Sequence, residues 1–313
     1  MTQPARRSAA PLPVPGAAPA PGFADLAEWL AARPRQLAKG PLAVLLFEDG
    51  VETFSTLRYH LMVGFRHVIA LSPEPLDLPA LGLTAAECAR ITNLRHDCRR
   101  TSTHVEAVNA VIAAVPAGTW IYYGFNAEYL FYPFSDHRRV GELLEFHQQE
   151  RRDAMLTYVI DLYAPDLTRH PDAVSIEEAM FDRSGYYALE RWTRDGQRQE
   201  RQLDFYGGLR WRFEEYLPAN RRRVDRIALF RAARGLRIAA DHSFNVAEYN
   251  TYASPWHHNM TAAVMSFRVA KALMRNPGSR GAVRSFGWRN STRFTWRAQQ
   301  LMDLGLMEPG QWF

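Results

Sequence analysis

The chain has 313 residues, 47% hydrophobic and 23% charged, a composition that excludes disordered and fibrous classes and leaves enough chain for a large core. No apolar run reaches the roughly 18–20 residues of a membrane-spanning helix, and the N-terminus lacks a signal-peptide pattern, so a cytoplasmic protein is expected, with peripheral membrane contact left open. Net charge is +5 and the only lysines are Lys39 and Lys271, so the positive charge is almost all arginine, whose planar fork suits phosphate and carboxylate.

Residues 1–22 are dominated by Ala and Pro, carry Arg6 and Arg7, and show no periodicity; they are expected to be a disordered tail, with one domain over 23–313. Residues 23–32 read as a short helix and 42–47 as a buried strand. Val51, Phe54, Leu57, Leu61 and Met62 repeat at helical spacing before a second apolar strand over 67–72, giving a β-α-β unit. Thr103 is placed to cap a helix whose face is Val105, Val108, Ile112 and Val115, and residues 120–123 form the next strand.

Ser135 and Asp136 introduce a helix carrying Val140, Leu143 and Leu144, and a strand follows over 155–163. Residues 166–204 are polar and read as an irregular insertion, with a hairpin around 186–192. Short strands are expected at 227–230 and 236–239, then helices over 260–275 and 292–304. Strands alternating with helices predict an α/β fold with a mainly parallel sheet. Cys88 and Cys98 are too few for a disulfide framework or a Cys-based zinc site.

Three stretches carry a resemblance. The first is Trp120-Ile121-Tyr122-Tyr123-Gly124-Phe125-Asn126-Ala127-Glu128-Tyr129-Leu130-Phe131-Tyr132-Pro133. The second is Phe47-Glu48-Asp49, followed by Tyr59-His60 and Gly64-Phe65. The third is Gly207-Gly208-Leu209-Arg210-Trp211-Arg212-Phe213, then Arg226-Ile227-Ala228-Leu229-Phe230-Arg231 and Asp241-His242. In this order they resemble the family 2 glycosyltransferase-like group of GT-A fold, over about residues 40–270. In that group a strand ends in a pattern like W-hydrophobic-D-x-D-E-F-L-x-Y-P, whose two aspartates hold a divalent cation against the donor diphosphate. Phe125 and Ala127 stand at those two positions. A fourth region departs further: Met265-Ser266-Phe267-Arg268-Val269 stands where L-H-F-K-F is frequent.

The resemblance implies a Rossmann-like GT-A domain and transfer of a sugar, with inversion, from a nucleotide-sugar donor to a glycan or other hydroxyl acceptor. Dependence on magnesium or manganese would be weak or absent, and no metal ligands are assigned. Glu48, Asp49 and Asn126 would lie at the donor, with His242 as a further binding residue. Arg210 and Arg212 would take phosphates or an acidic acceptor, since paired glycines admit a ligand and two arginines two apart could both reach its oxygens. The general base stays open between Asp161, at a strand end, and Asp241 beside His242. Glu128 is a residual metal ligand or an acceptor of sugar hydrogen bonds.

Two rivals remain: a noncatalytic nucleotide- or glycan-binding protein of the same fold, and a nucleic-acid binder suggested by a pI near 9.3 and Arg221-Arg222-Arg223. The absence of any nucleic-acid module disfavours the second. His257 and His258 follow Pro255-Trp256 without the spacing of helical zinc ligands.

Overall fold

A computed structural model of the chain describes residues 25–193, 195–251 and 259–312. The expected tail over 1–22, Phe23, and the His257-His258 pair lie outside the described residues.

The elements before the first site loop follow the sequence pattern closely. Helix α1 (Leu26–Ala31) is capped by the Asp25 carboxylate, which accepts from the Glu28 N–H at 2.9 Å. Strand β1 (Leu42–Leu46), α2 (Thr53–Val63) and β2 (His67–Ser72) form the expected β-α-β unit. Every residue of β1 and β2 is buried, as continuous apolar runs covered on both faces should be. Gly64 ends α2 in a left-handed conformation, φ 110°, and its N–H returns to the His60 carbonyl, which few residues other than glycine do without strain. Then come α3 (Ala85–Cys88), β3 (Ile91–Arg95), α4 (Thr103–Ala114), β4 (Trp120–Phe125) and β5 (Glu128–Phe131).

The second half holds α5 (Val140–Gln149), β6 (Ala154–Tyr163), β7 (Met180–Asp182), β8 (Tyr187–Trp192), β9 (Arg198–Tyr206), α6 (Gly208–Arg212) and β10 (Asp225–Arg231). It closes with β11 (Ala262–Ser266), α7 (Arg268–Arg275), α8 (Pro277–Arg280), β12 (Ser291–Arg293) and α9 (Ala298–Asp303). Strands β8 and β9 form a separate hairpin within the insertion.

The class is α/β, but the sheet is mixed rather than mainly parallel. Its path runs β12-β7-β6-β10-β4-β1-β2-β3, with β11 pairing both β5 and β6. Strands β3, β2, β1 and β4 are mutually parallel, whereas β10 lies antiparallel between β4 and β6. The chain leaves β1 for β2 and β3 on one side and returns to β4 on the other. This reversal opens a crevice beyond the carboxyl ends of β1 and β4.

Other expectations are corrected by tertiary context. Residues 260–275 are a strand followed by a helix: Ala262–Ser266 is buried throughout, and a short apolar run does not reveal its period. Residues 292–304 likewise divide between β12 and α9. Residues 236–239 form no strand, only an isolated bridge from Ile238 to Phe244. The residue before α4 is Ser102, while Thr103 Oγ1 binds His96 and Asp97. Asp136 does not introduce α5; it accepts from the N–H groups of Ala298 and Gln299 at the start of α9.

Candidate functional site

The crevice begins with a staple. Asn126, fully buried just past β4, accepts from the Glu48 N–H at 3.1 Å and donates to Asp49 Oδ1 at 2.6 Å and to the Val51 carbonyl at 3.0 Å. It ties the end of β4 to the loop after β1. A residue expected to touch substrate therefore spends its amide on positioning Glu48 and Asp49.

Those two carboxylates meet α7. Arg268, Lys271 and Arg275 are spaced i, i+3 and i+7, which puts them on one helix face. Arg268 donates to both Glu48 oxygens, with Nε at 2.8 Å. Lys271 reaches Asp49 at 3.1 Å and Arg275 binds the same carboxylate. Burial raises the Asp49 pKa, but the Lys271 charge, the Val51 N–H and Arg275 outweigh it and hold the carboxyl below its usual range.

These groups line a cleft of about 480 Å³, which Arg210 and Arg221 also face. Five cations thus surround two carboxylates. Arg221 forms no ion pair among the described residues, and desolvation and the Arg268 charge lower its pKa against the opposing Glu48 charge. An anion entering here would relieve that crowding. Below it, the Arg268 guanidinium lies 3.6 Å from the centre of the Phe125 ring, and Arg226 lies 5.7 Å from the same centre.

The other predicted site residues are dispersed. Glu128 is fully buried: Oε2 accepts from Arg226 at 2.7 Å and from the Phe125 N–H at 3.0 Å, and Oε1 from Ser266 Oγ at 3.1 Å. Burial pushes its pKa up, yet the Arg226 charge and hydrogen bond prevail and lower it. Both Glu128 oxygens are thus engaged inside the fold.

Arg210 and Arg212 do not act together. Residues two apart on a helix diverge by roughly 200°. Arg210 turns toward the cleft, with Nε 3.4 Å from Asp161 Oδ1 and Nη1 2.9 Å from the Arg223 carbonyl. Arg212 turns the other way into a nearly buried pair with Asp182, at 2.8 Å, and donates to the Phe286 carbonyl at 2.7 Å. Arg212 is thus placed away from the cleft that Arg210 faces.

Asp161 is buried under the Gly207-Gly208 turn. A Cβ on Gly208, φ 60°, would stand 3.1 Å from Asp161 Oδ2 and 3.5 Å from the Tyr186 hydroxyl, while one on Gly207 would strike the Tyr186 ring. Among the described residues, neither Asp161 Oδ2 nor the Tyr186 hydroxyl has a hydrogen-bond partner. Burial, opposed by Arg210 and aided by Asp182, raises the Asp161 pKa to about 6. Asp241 is elsewhere, exposed, accepting from the N–H and Oγ of Ser243 in a turn. His242 stacks 4.3 Å from His104 and pairs with the Tyr123 hydroxyl at 2.9 Å. Burial, His104 and the nearby arginines push its pKa well down; burial and Arg268 and Arg226 push His104 to about 4. Both rings are neutral at pH 7.

Sequence reasoning missed the cationic face of α7, whose signal was the i, i+3, i+7 spacing of Arg268, Lys271 and Arg275. It also grouped Arg221, Arg222 and Arg223, which diverge: Arg222 pairs with Glu214 and Arg223 with Asp225, leaving Arg221 at the cleft.

The donors at the aspartate positions do not suit a divalent cation. Phe125 and Ala127 supply no side-chain oxygen, Glu128 is engaged by Arg226, and Glu48 and Asp49 are engaged by α7. Among the described residues no group of three or more His, Cys, Asp or Glu is arranged to hold a metal, and no helix is long and apolar enough to cross a membrane. Fold and site together define an α/β protein with a basic cleft at the switch point of its sheet. No family model matches the chain, and no curated protein matches it.

Proposed function

We propose that this chain is a glycosyltransferase-like protein of GT-A type, similar to family 2, that holds the diphosphate of a nucleotide sugar in the basic cleft without a divalent metal. The observation that carries the reading is Arg268 over Phe125. The resembled family places a metal-binding aspartate at that position; here an aromatic ring supports a fixed guanidinium, whose fork matches phosphate oxygens. Support comes also from the crevice position beside β1 and β4, where open α/β sheets bind ligands. In this reading the donor's sugar passes to a glycan or other hydroxyl acceptor. Calorimetric titration with UDP- and GDP-sugars, with and without chelator, tests it: binding that survives chelator is expected, and failure of every nucleotide sugar to bind would sink the reading.

A second reading is favoured by the burial of Glu128 and Asp161 and the engagement of Asp241 in a turn. With no free carboxylate of the three in the cleft, the chain would bind nucleotide or glycan without turnover. Release of nucleoside diphosphate from a bound donor in the presence of a glycan acceptor library eliminates this alternative.

A further inference from the structure

The positive charge of the chain is concentrated in one stretch. Between Glu248 and Asp303 the sequence holds no aspartate or glutamate, yet it holds Lys271 and seven arginines; since the whole chain is +5, the remainder is net negative. Such asymmetry points to an anionic partner. Arg268, Lys271 and Arg275 are engaged at the cleft by Glu48 and Asp49. Arg280, Arg284, Arg289 and Arg297 are exposed and form no ion pair among the described residues.

This stretch reaches the foot of the β8–β9 hairpin. Ser291 of β12 pairs with Asp182 of β7, the Asn290 carbonyl accepts from the Arg183 N–H at 3.0 Å, and a Cβ on Gly185 would lie 3.5 Å from the Trp288 indole. Arg289 and Arg183 therefore stand where the chain enters β8. Arg183 too is exposed and has no ion pair among the described residues.

Strand β8 pairs with β9 alone, so its outer edge has no partner strand among the described residues. Every residue of it is exposed except Arg191, which is fixed to Asp204 at 2.6 Å and to Asp225 at 2.8 Å. Tyr187, Leu189 and Trp192 are 44%, 54% and 57% exposed, half of the large apolar side chains that stand exposed among the described residues. Charge or proline usually blunts an edge of this kind. Here an anchored strand carries apolar groups into solvent, and their concentration on one strand marks an interaction surface.

Three partners suit apolar groups beside unpaired arginines, and the geometry separates them. A second copy on a two-fold axis would bring the patch against itself and set arginine against arginine. Single-stranded nucleic acid needs open aromatic faces. The Tyr187 ring is stacked on Tyr206 at 5.4 Å, the Trp288 ring carries the Arg212 guanidinium at 5.0 Å, and Leu189 gives a base nothing to stack on. An anionic bilayer uses every part: tyrosine and tryptophan at the headgroup level, leucine at the acyl boundary and arginine on the lipid phosphates. Firm attachment of a protein to a membrane takes two such signals together, and this surface supplies both.

We infer that β8 and the arginines at its foot form a docking surface for an anionic phospholipid membrane, with Leu189 and Trp192 entering the headgroup boundary. Asp195 in the hairpin turn and Glu200 on β9 are exposed, so the side of β8 meets the lipid rather than the turn. The inference does not depend on what the cleft binds.

Sedimentation of the full chain with lipid vesicles tests it. Binding is expected to phosphatidylcholine vesicles that contain phosphatidylserine and not to pure phosphatidylcholine, and added salt should weaken it. The partition coefficient should fall about fivefold in Arg289→Gln and about tenfold or more in Leu189→Ser/Trp192→Ser. These side chains are exposed, so melting temperatures should match that of the wild type. Lipid brominated in its acyl chains should quench the tryptophan fluorescence of the wild type, and quench less in Trp192→Phe, which keeps the apolar contact and should still bind. No binding to the serine-containing vesicles, equal binding to the neutral ones, or quenching unchanged in Trp192→Phe overturns the inference. Oligothymidine bound in place of vesicles would transfer the surface to nucleic acid, and a concentration-dependent dimer abolished by Leu189→Asp would transfer it to a second copy.

Discussion

Glu128 and Arg226 meet at 2.7 Å inside the sheet, with side chains only 1% and 4% exposed, joining β5 to β10. Removing one partner of such a pair strands the other charge in low dielectric, which costs about 3–5 kcal/mol. Glu128→Ala is therefore expected to destabilise the protein by that amount in urea denaturation, with Glu128→Leu/Arg226→Met losing less than either single change. A double variant as damaged as the sum of the singles would mean that the pair is not coupled.

Arg210 and Arg212 should separate function from fold. Arg212 fills a network in which Asp182 also accepts from the Tyr163 hydroxyl at 2.6 Å and from Trp288, so Arg212→Ala is expected to lower stability by about 3–5 kcal/mol. Arg210→Ala strands the buried Asp161, whose pKa is already raised to about 6 and which can take up a proton when its partner is gone, so it should cost less stability than Arg212→Ala while weakening UDP binding by about 1.5–3 kcal/mol, the worth of a charged hydrogen bond. Thermal denaturation and calorimetry on the same samples check both; the reverse pattern would exchange their roles.

How much was legible in the sequence depended on whether a partner was local. Strands β1, β2 and β4 were readable because uninterrupted apolar runs of strand length are buried on both faces, and α2 because its glycine stop is local. Strand β3, Ile-Thr-Asn-Leu-Arg at the sheet edge, was not, since only Ile91 and Leu94 are buried. Strand β5 was missed because Ala127, left-handed at φ 58°, breaks a stretch that reads as continuous. In the site, Glu48 and Asp49 were picked out, but their partners lie more than 200 residues away on α7. The partner of Glu128 was out of reach for the same reason: Arg226 is 98 residues distant.

The raised pKa of Asp161 predicts a pH signature. Its folded value, about 6, lies above the ordinary 3.8, so the native state binds the proton more tightly than the unfolded chain does. The stability linked to that proton is fully present below about 3.8 and is lost as pH rises through about 6. Asp161→Asn keeps a neutral side chain throughout, so its stability relative to wild type should rise between pH 5 and pH 8 by about 1.4 kcal/mol. His60, His104 and His147 act in the opposite sense: burial depresses each to about 4, so their contribution is present above 6.5 and lost as pH falls through about 4. They are shared by both proteins and cancel in the difference. A pH-independent gap in urea denaturation would place Asp161 in an ordinary, solvated environment.

The last prediction concerns what neutralises the ligand. If the diphosphate is met by α7 and by Arg221, binding should be insensitive to chelator yet steeply sensitive to the removal of single cations. Arg221→Ala is the cleanest variant, because Arg221 forms no ion pair among the described residues and only the longer-range Glu48 charge acts on it. It should weaken UDP binding about 10- to 150-fold, the equivalent of one charge-assisted hydrogen bond. Arg268→Met removes a phosphate donor and also frees Glu48 to repel the ligand, so its loss should exceed that of Arg221→Ala, while Arg268→Met/Glu48→Gln should recover part of the difference. Added salt should weaken binding to wild type more than to either single variant, since fewer cations leave less charge to screen. Calorimetry at two salt concentrations, each with and without EDTA, reads all three effects. Binding that chelator abolishes and manganese restores would return the role to a metal held by Glu48 and Asp49, and would require α7 to release both carboxylates when the nucleotide enters.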